Sequence, residues 1–98
     1  MYGTIGKFKL KPGTLDAALV LFDEWERDYK PKIDGAQAGY TYQLDSDPNT
    51  IVIVAVFRDK DSYVANADNP DQDKWFGRFA ELLDGEPEWN DGQILRSS

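Results

Sequence analysis

Apolar and polar positions alternate with period two at the start of the chain. Tyr2, Thr4, Gly6, Phe8 and Leu10 share one side, and Lys7 and Lys9 take the other. This period predicts a strand over Tyr2–Lys11, broken by Lys11-Pro12-Gly13. The period then changes. Leu15, Ala18, Phe22, Trp25 and Tyr29 recur at spacings of three and four and form one stripe of an amphipathic helix. Thr14 is its candidate N-cap, Asp16 suits its positive end, and Pro31 should stop it. Over Gly35–Asp45 the alternation returns. Ala36, Ala38, Tyr40, Tyr42 and Leu44 form an apolar face, against Gln37, Gly39, Thr41 and Gln43. Asp45-Ser46-Asp47-Pro48-Asn49 has turn chemistry. The run that follows, Ile51–Phe57, is apolar on both faces and reads as a central strand hairpinned to the preceding one.

Two further helices are predicted. Asp59 can cap a short one through Ser62, Tyr63, Val64 and Ala65, interrupted over Asn66–Pro70. Asn69 can cap the next, with Pro70 at its first position and Asp71 and Asp73 in its first turn. Trp75, Phe76, Phe79, Leu82 and Leu83 supply its buried stripe, and Gly85 ends it. Trp89–Leu95 is a final short strand. The order β-α-β-β-α-β is that of the ferredoxin-like α+β fold, a four-stranded antiparallel sheet with helices on one face. A single domain over residues 1–98 accounts for the whole chain. The central strand is too apolar for the other face of the sheet to meet water. A second copy packing sheet against sheet is the expected cover.

Composition narrows the chemistry. With no cysteine, disulfides, thiolate catalysis and cysteine-held metal clusters are excluded. With no histidine, the usual general base and the commonest metal ligand are absent. The net charge of −7 is the wrong sign for a nucleic-acid binder. It is concentrated beyond residue 32, where five basic side chains face thirteen acidic ones. No apolar run is long enough to span a bilayer and no signal-peptide core is present, so a soluble cytoplasmic protein is expected. Asp45-x-Asp47-x-Asn49 opens like a calcium loop, but Thr50 and Val56 stand where the turn glycine and the bidentate glutamate belong, which favours a plain hairpin turn. Asp71 and Asp73 are explained by the helix start, without metal.

Lys11-Pro12-Gly13, Phe22 with Trp25, Gly39-Tyr40, Asp47-Pro48-Asn49, Ala55-Val56-Phe57-Arg58-Asp59-Lys60, Ser62-Tyr63 with Asn66, and Trp75 with Phe79 form a set of segments. Together they resemble the antibiotic biosynthesis monooxygenase family of dimeric α+β barrels. The similarity spans about residues 2–95. It implies a homodimer and a pocket in each subunit between helices and sheet. For some relatives it implies cofactor-independent oxidation of electron-rich polyphenols to quinones by molecular oxygen. The haem-degrading relatives ligate iron through a histidine that this chain lacks, so no cofactor is expected.

Cofactor-free oxygenation needs a dry pocket and neutral donors that stabilise a developing phenolate or enolate. Asn66 and Trp75 are the candidate catalytic residues, holding and polarising an oxygenated ring. Tyr40, Tyr42, Phe57 and Arg78 are the candidates for substrate binding. Each has a plainer reading. Asn66 could bridge the helix break through local backbone bonds, Trp75 could fill the core, the tyrosines could pack at an interface, and Arg58 or Arg78 could pair with a surface acid. The alternative function is a non-catalytic dimeric barrel that binds a small apolar ligand. An isomerase on the same scaffold is a third.

Overall fold

A computed structural model describes residues 1–98. Strand β1 (Tyr2–Lys9) leads into helix α1 (Leu15–Glu24), which continues as a π-helical turn (Trp25–Tyr29) and a 3-10 turn (Lys30–Lys32). The hairpin of β2 (Ala36–Leu44) and β3 (Asp47–Phe57) follows, then helices α2 (Lys60–Ala67) and α3 (Pro70–Ala80), and strand β4 (Glu88–Gln93). The sheet order is β2-β3-β1-β4, every neighbouring pair antiparallel. This is the α+β ferredoxin-like arrangement that the periodicity predicts. No helix is long and apolar enough to cross a membrane.

The core lies between the helices and the Leu10–Ile51 end of the sheet. Phe8, Leu10 and Ile51 from the sheet meet Ala18 and Leu21 of α1, Trp75 and Phe79 of α3, and Leu83 beyond it. Leu15, Phe22, Trp25 and Tyr29, the rest of the predicted stripe, pack against this cluster. Trp75 and Phe79 stack at 5.8 Å with 11° between their planes, and Phe8 meets Phe79 edge-on at 5.2 Å. Gly6 leaves room on β1, since a Cβ there would stand 2.7 Å from the Phe8 ring and 3.1 Å from that of Trp89.

The two later helices start as the sequence predicts. The Asp59 carboxylate accepts from the Ser62 amide at 2.8 Å, and the Ser62 hydroxyl completes a capping box. The Asn69 side chain accepts from the Asp71 amide at 2.9 Å. Gly35 turns the chain into β2 at φ +84°, where a Cβ would strike Ser62 at 2.5 Å.

Other details depart from the sequence reading. Thr14 precedes α1 but forms no cap. Its hydroxyl donates instead to the Lys11 carbonyl at 2.7 Å, closing the Pro12-Gly13 turn. The hairpin turn is only Asp45-Ser46, and β3 begins at Asp47, whose carboxylate accepts from the Asn49 amide at 3.1 Å and the Thr50 hydroxyl at 2.7 Å. Those bonds use the aspartate locally, as an Asx turn does. Helix α3 ends at Ala80, so Leu82 and Leu83 belong to the turn after it. There Leu83 bridges Leu10, because the chain must double back to β4.

The largest departure concerns β2. Gly39 pairs with Ala55 and Thr41 with Ile53, and both partners face the helices. Tyr40 pairs with Val54 and Tyr42 with Val52, which face away from them. The apolar side of β2 is therefore the outer side of the sheet, and its small and polar side lies under the helices. Alternation shows that a strand has two faces but not which one meets the helices.

Candidate active site

The upper half of the sheet carries small side chains toward the helices. One row across it runs Gly39, Ala55, Thr4, Asp91, and the next begins Thr41, Ile53, Gly6. Helices resting on such a floor leave a gap. The result is a cavity of about 440 Å³ lined by 25 residues, 16 of them hydrophobic. Its walls are Phe22 and Trp25 at the end of the first helix, Asn66 of α2, Trp75, Phe76 and Phe79 of α3, and Trp89 of β4. Size and apolar lining suit a planar organic molecule.

The π-helical turn shapes one wall. It carries Trp25 and Glu26, both at the cavity, and Lys30 follows directly. Turns of this kind recur at functional sites because the extra residue re-aims side chains. The Trp25 indole N–H donates to Gln72 Oε1 at 2.7 Å, tying that turn to α3.

Asn66 lies in the last turn of α2, not in the helix break itself. The break is closed by others. The Asn69 amide donates to the Asn66 carbonyl at 3.1 Å, and the Asn69 side chain caps α3. The Asn66 side-chain oxygen is buried and has no hydrogen-bond partner. Asn66 lines the cavity, so a turn of its amide would offer this unmet group to a ligand. Trp75 differs. Its indole N–H donates to the Leu21 carbonyl at 3.0 Å, so the ring contributes apolar wall and no free donor.

The substrate-binding candidates separate likewise. Phe57 is buried at the cavity, edge-on to Tyr63 at 5.4 Å. Tyr40 borders the cavity along the edge strand, but its register is outward and it is 64% exposed. Tyr42 does not line the cavity, for the same reason of register. Nor does Arg78, whose guanidinium pairs with Glu24 at 2.9 Å on the surface. Arg58 is held by Asp34 and Asp59, also away from the cavity. No group of three or more carboxylate-bearing side chains is placed to hold a metal ion.

A second polar group lies at the β4 side of the cavity, and sequence periodicity does not single it out. The Tyr63 hydroxyl donates to Asp91 Oδ1 at 2.8 Å. Burial first, and then the bond to Asp91, push the Tyr63 phenol up to about 12. The Thr4 hydroxyl beside it acts in the opposite sense. Thr4 is 5% exposed, and its hydroxyl oxygen has no hydrogen-bond partner. Thr4, Tyr63 and Asp91 come from β1, α2 and β4, so only folding assembles them.

Solved structures share this architecture over nearly the full chain. A proposed antibiotic biosynthesis monooxygenase from Nitrosomonas europaea superposes with a TM-score of 0.83, at 15% identity, covering 96% of this chain and 89% of that one. SnoaB, a cofactor-independent oxygenase from Streptomyces nogalater, gives 0.84 at 12% identity, covering 98% and 94%. This chain has the fold of the antibiotic biosynthesis monooxygenases. A conserved protein from Methanosarcina mazei Go1, with no activity in its name, has the same fold at a TM-score of 0.83 and 20% identity, covering 94% and 90%. No family model and no curated protein matches the sequence. In this monooxygenase fold the cavity lies between helices and sheet, with Asn66 and the Thr4–Tyr63–Asp91 group both at its wall.

Proposed function

We propose that this protein is a cofactor-independent monooxygenase that oxidises a planar, phenol- or anthrone-like small molecule with O2. The observation that carries the reading is the apolar cavity with the unpartnered Asn66 amide at its wall. In such a reaction the substrate supplies the electrons. A ring CH2 beside a carbonyl loses a proton to give an enolate, which reduces O2. One oxygen atom ends as a new carbonyl and the other leaves with the two hydrogens as water. The protein's part is to exclude water, hold the ring and stabilise the enolate oxygen. Asn66 is the group proposed to do the last, its amide turned to present N–H. Phe57 and Trp75 hold the ring by contact. SnoaB, a named cofactor-independent oxygenase of the same fold, supports the reading.

The partner proposed is a second copy of the chain. On the outer face of the sheet Ile5, Tyr40 and Tyr42 surround Val52, Val54 and Val56, with Tyr40 64% and Tyr42 49% exposed. A patch of this kind marks an interface. Tyr40 and Tyr42 belong to that interface in this proposal, and Arg78 to a surface ion pair.

A second reading, a barrel that binds an apolar ligand without reaction, is favoured by one observation. The Trp75 N–H is already taken by Leu21, which leaves Asn66 alone of the two candidate donors. Oxygen uptake decides between the readings. Planar phenols and anthrones are first screened by thermal shift, where a ligand at a hundred times its Kd adds about 2.7 kcal/mol. Uptake is then measured with each ligand that stabilises the protein. The expected result is turnover that falls roughly 100-fold in Asn66→Ala, with an unchanged melting temperature because that oxygen gives up no bond. Ligand binding without oxygen uptake would establish the second reading.

A further inference from the structure

We propose that Thr4, Tyr63 and Asp91 form a hydroxyl-specific pole of the cavity, which binds the O–H of a phenolic ligand and discriminates against the corresponding carbonyl or ether. It deepens the functional proposal by naming the group on the ligand. It rests on the cavity's binding a planar aromatic, and not on any oxygen chemistry.

The argument is one of hydrogen-bond polarity. Asp91 is an exposed carboxylate and can only accept. Tyr63 therefore points its single hydrogen at Asp91, at 2.8 Å along the cavity wall. Burial and that bond keep the phenol protonated through the physiological range, so the direction is fixed. What Tyr63 leaves toward the cavity is lone pairs. Thr4, 5% exposed and unpartnered at its oxygen, stands beside it. Where its hydrogen turns to the Tyr63 oxygen, it too offers only lone pairs to a ligand. A chain of hydroxyls terminated by a carboxylate is polarised toward that carboxylate, and its inner end accepts. A ligand hydroxyl can donate to it. A quinone carbonyl or a methoxy oxygen, which only accepts, meets lone pairs. Binding sites built to pair a hydroxyl reject analogues lacking it more sharply than apolar pockets reject a change of size. In an oxidation of a phenol to a quinone, the pole would favour the reduced ligand and release the oxidised one.

The test is equilibrium dialysis under argon with 1-naphthol, 1-methoxynaphthalene and 1,4-naphthoquinone. The intact protein should bind 1-naphthol about tenfold more tightly than 1-methoxynaphthalene, the effect of one to two net hydrogen bonds. Thr4→Val gives up only the Thr4 link to Tyr63 and keeps the side-chain shape. Either it or Tyr63→Phe should lower the ratio, and the two together should bring it close to one, with affinity for 1-methoxynaphthalene unchanged. Asp91→Asn lies on an exposed strand and can donate to Tyr63. By freeing the chain to reverse, it should raise the affinity for 1,4-naphthoquinone severalfold. Absence of a preference for 1-naphthol in the intact protein, including failure to bind it, would overturn the proposal, as would a preference that survives Thr4→Val and Tyr63→Phe. An unchanged quinone affinity in Asp91→Asn would overturn the polarity argument. A protein that keeps the preference but consumes no oxygen loses the oxygenase reading and retains the pole. One that oxidises a phenol while binding naphthol and its ether equally loses the pole alone.

Discussion

The indole N–H of Trp75 donates to the Leu21 carbonyl at 3.0 Å, joining α3 to α1 across the core. The same carbonyl also accepts the Trp25 amide at the helix end, so it keeps one partner when the indole is removed. Trp75→Phe should therefore cost about 2 kcal/mol, the sum of a lost buried bond and a small void. For a domain of this size that lowers the melting temperature by roughly 10 °C. Turnover per folded molecule should change far less than in Asn66→Ala. A Trp75→Phe protein of undiminished melting temperature that has lost its turnover would return the indole to the chemistry.

Gly39 tests the cavity from its floor. A Cβ there meets nothing nearer than the Val54 carbonyl oxygen at 3.8 Å, and its register points under the helices. Gly39→Leu should fit, and restricting the unfolded chain should add up to about 1 kcal/mol, or roughly 5 °C. The leucine would occupy the ligand's place, so stabilisation by planar phenols should vanish in a thermal-shift assay. Ligand stabilisation equal to that of the unmodified protein would show that binding occurs elsewhere.

Acid should unfold the protein through a few surface carboxylates. The Ser62 amide and then Arg58 hold the Asp59 carboxyl below its ordinary value, and the Thr50 hydroxyl and Asn49 amide do so for Asp47. A carboxyl depressed in the folded state stabilises it fully above the unfolded pKa, about 3.9, and that contribution is lost as pH falls through the folded pKa. Melting temperature should stay level from pH 7 to about pH 5 and decline below about pH 4. In Asp59→Asn the decline should be shallower, as read by circular dichroism melts across that range. Equal slopes would remove Asp59 from the account.

The outer face of the sheet predicts the assembly. Sedimentation equilibrium should give twice the 11.1 kDa of one chain. Val54 lies at the middle of that face, opposite Ile5 and Tyr40. Val54→Asp should halve the mass by placing a charge in an apolar contact. A monomer before substitution would exclude sheet-to-sheet packing.

The sequence by itself determined the elements and their order. Period two over β1 and β2, the unbroken apolar run of β3 and the helical stripes from Leu15 to Tyr29 and from Trp75 to Phe79 are local signals. So are Asp59 and Asn69 as caps, because capping joins residues two or three apart. Its composition also removed histidine and cysteine chemistry. Tertiary structure alone decided which face of β2 lies under the helices, and so moved Tyr40 and Tyr42 to the outer side. It also decided that the Trp75 indole is spent on Leu21 while the Asn66 oxygen is left unpaired, and it assembled Thr4, Tyr63 and Asp91. The reason is the same in each case. A strand's period reads identically from either face, and a hydrogen bond across 54 residues, like that of Trp75, leaves no mark in local spacing. The cavity has the same origin, since the small residues of its floor become neighbours only when four strands align in register.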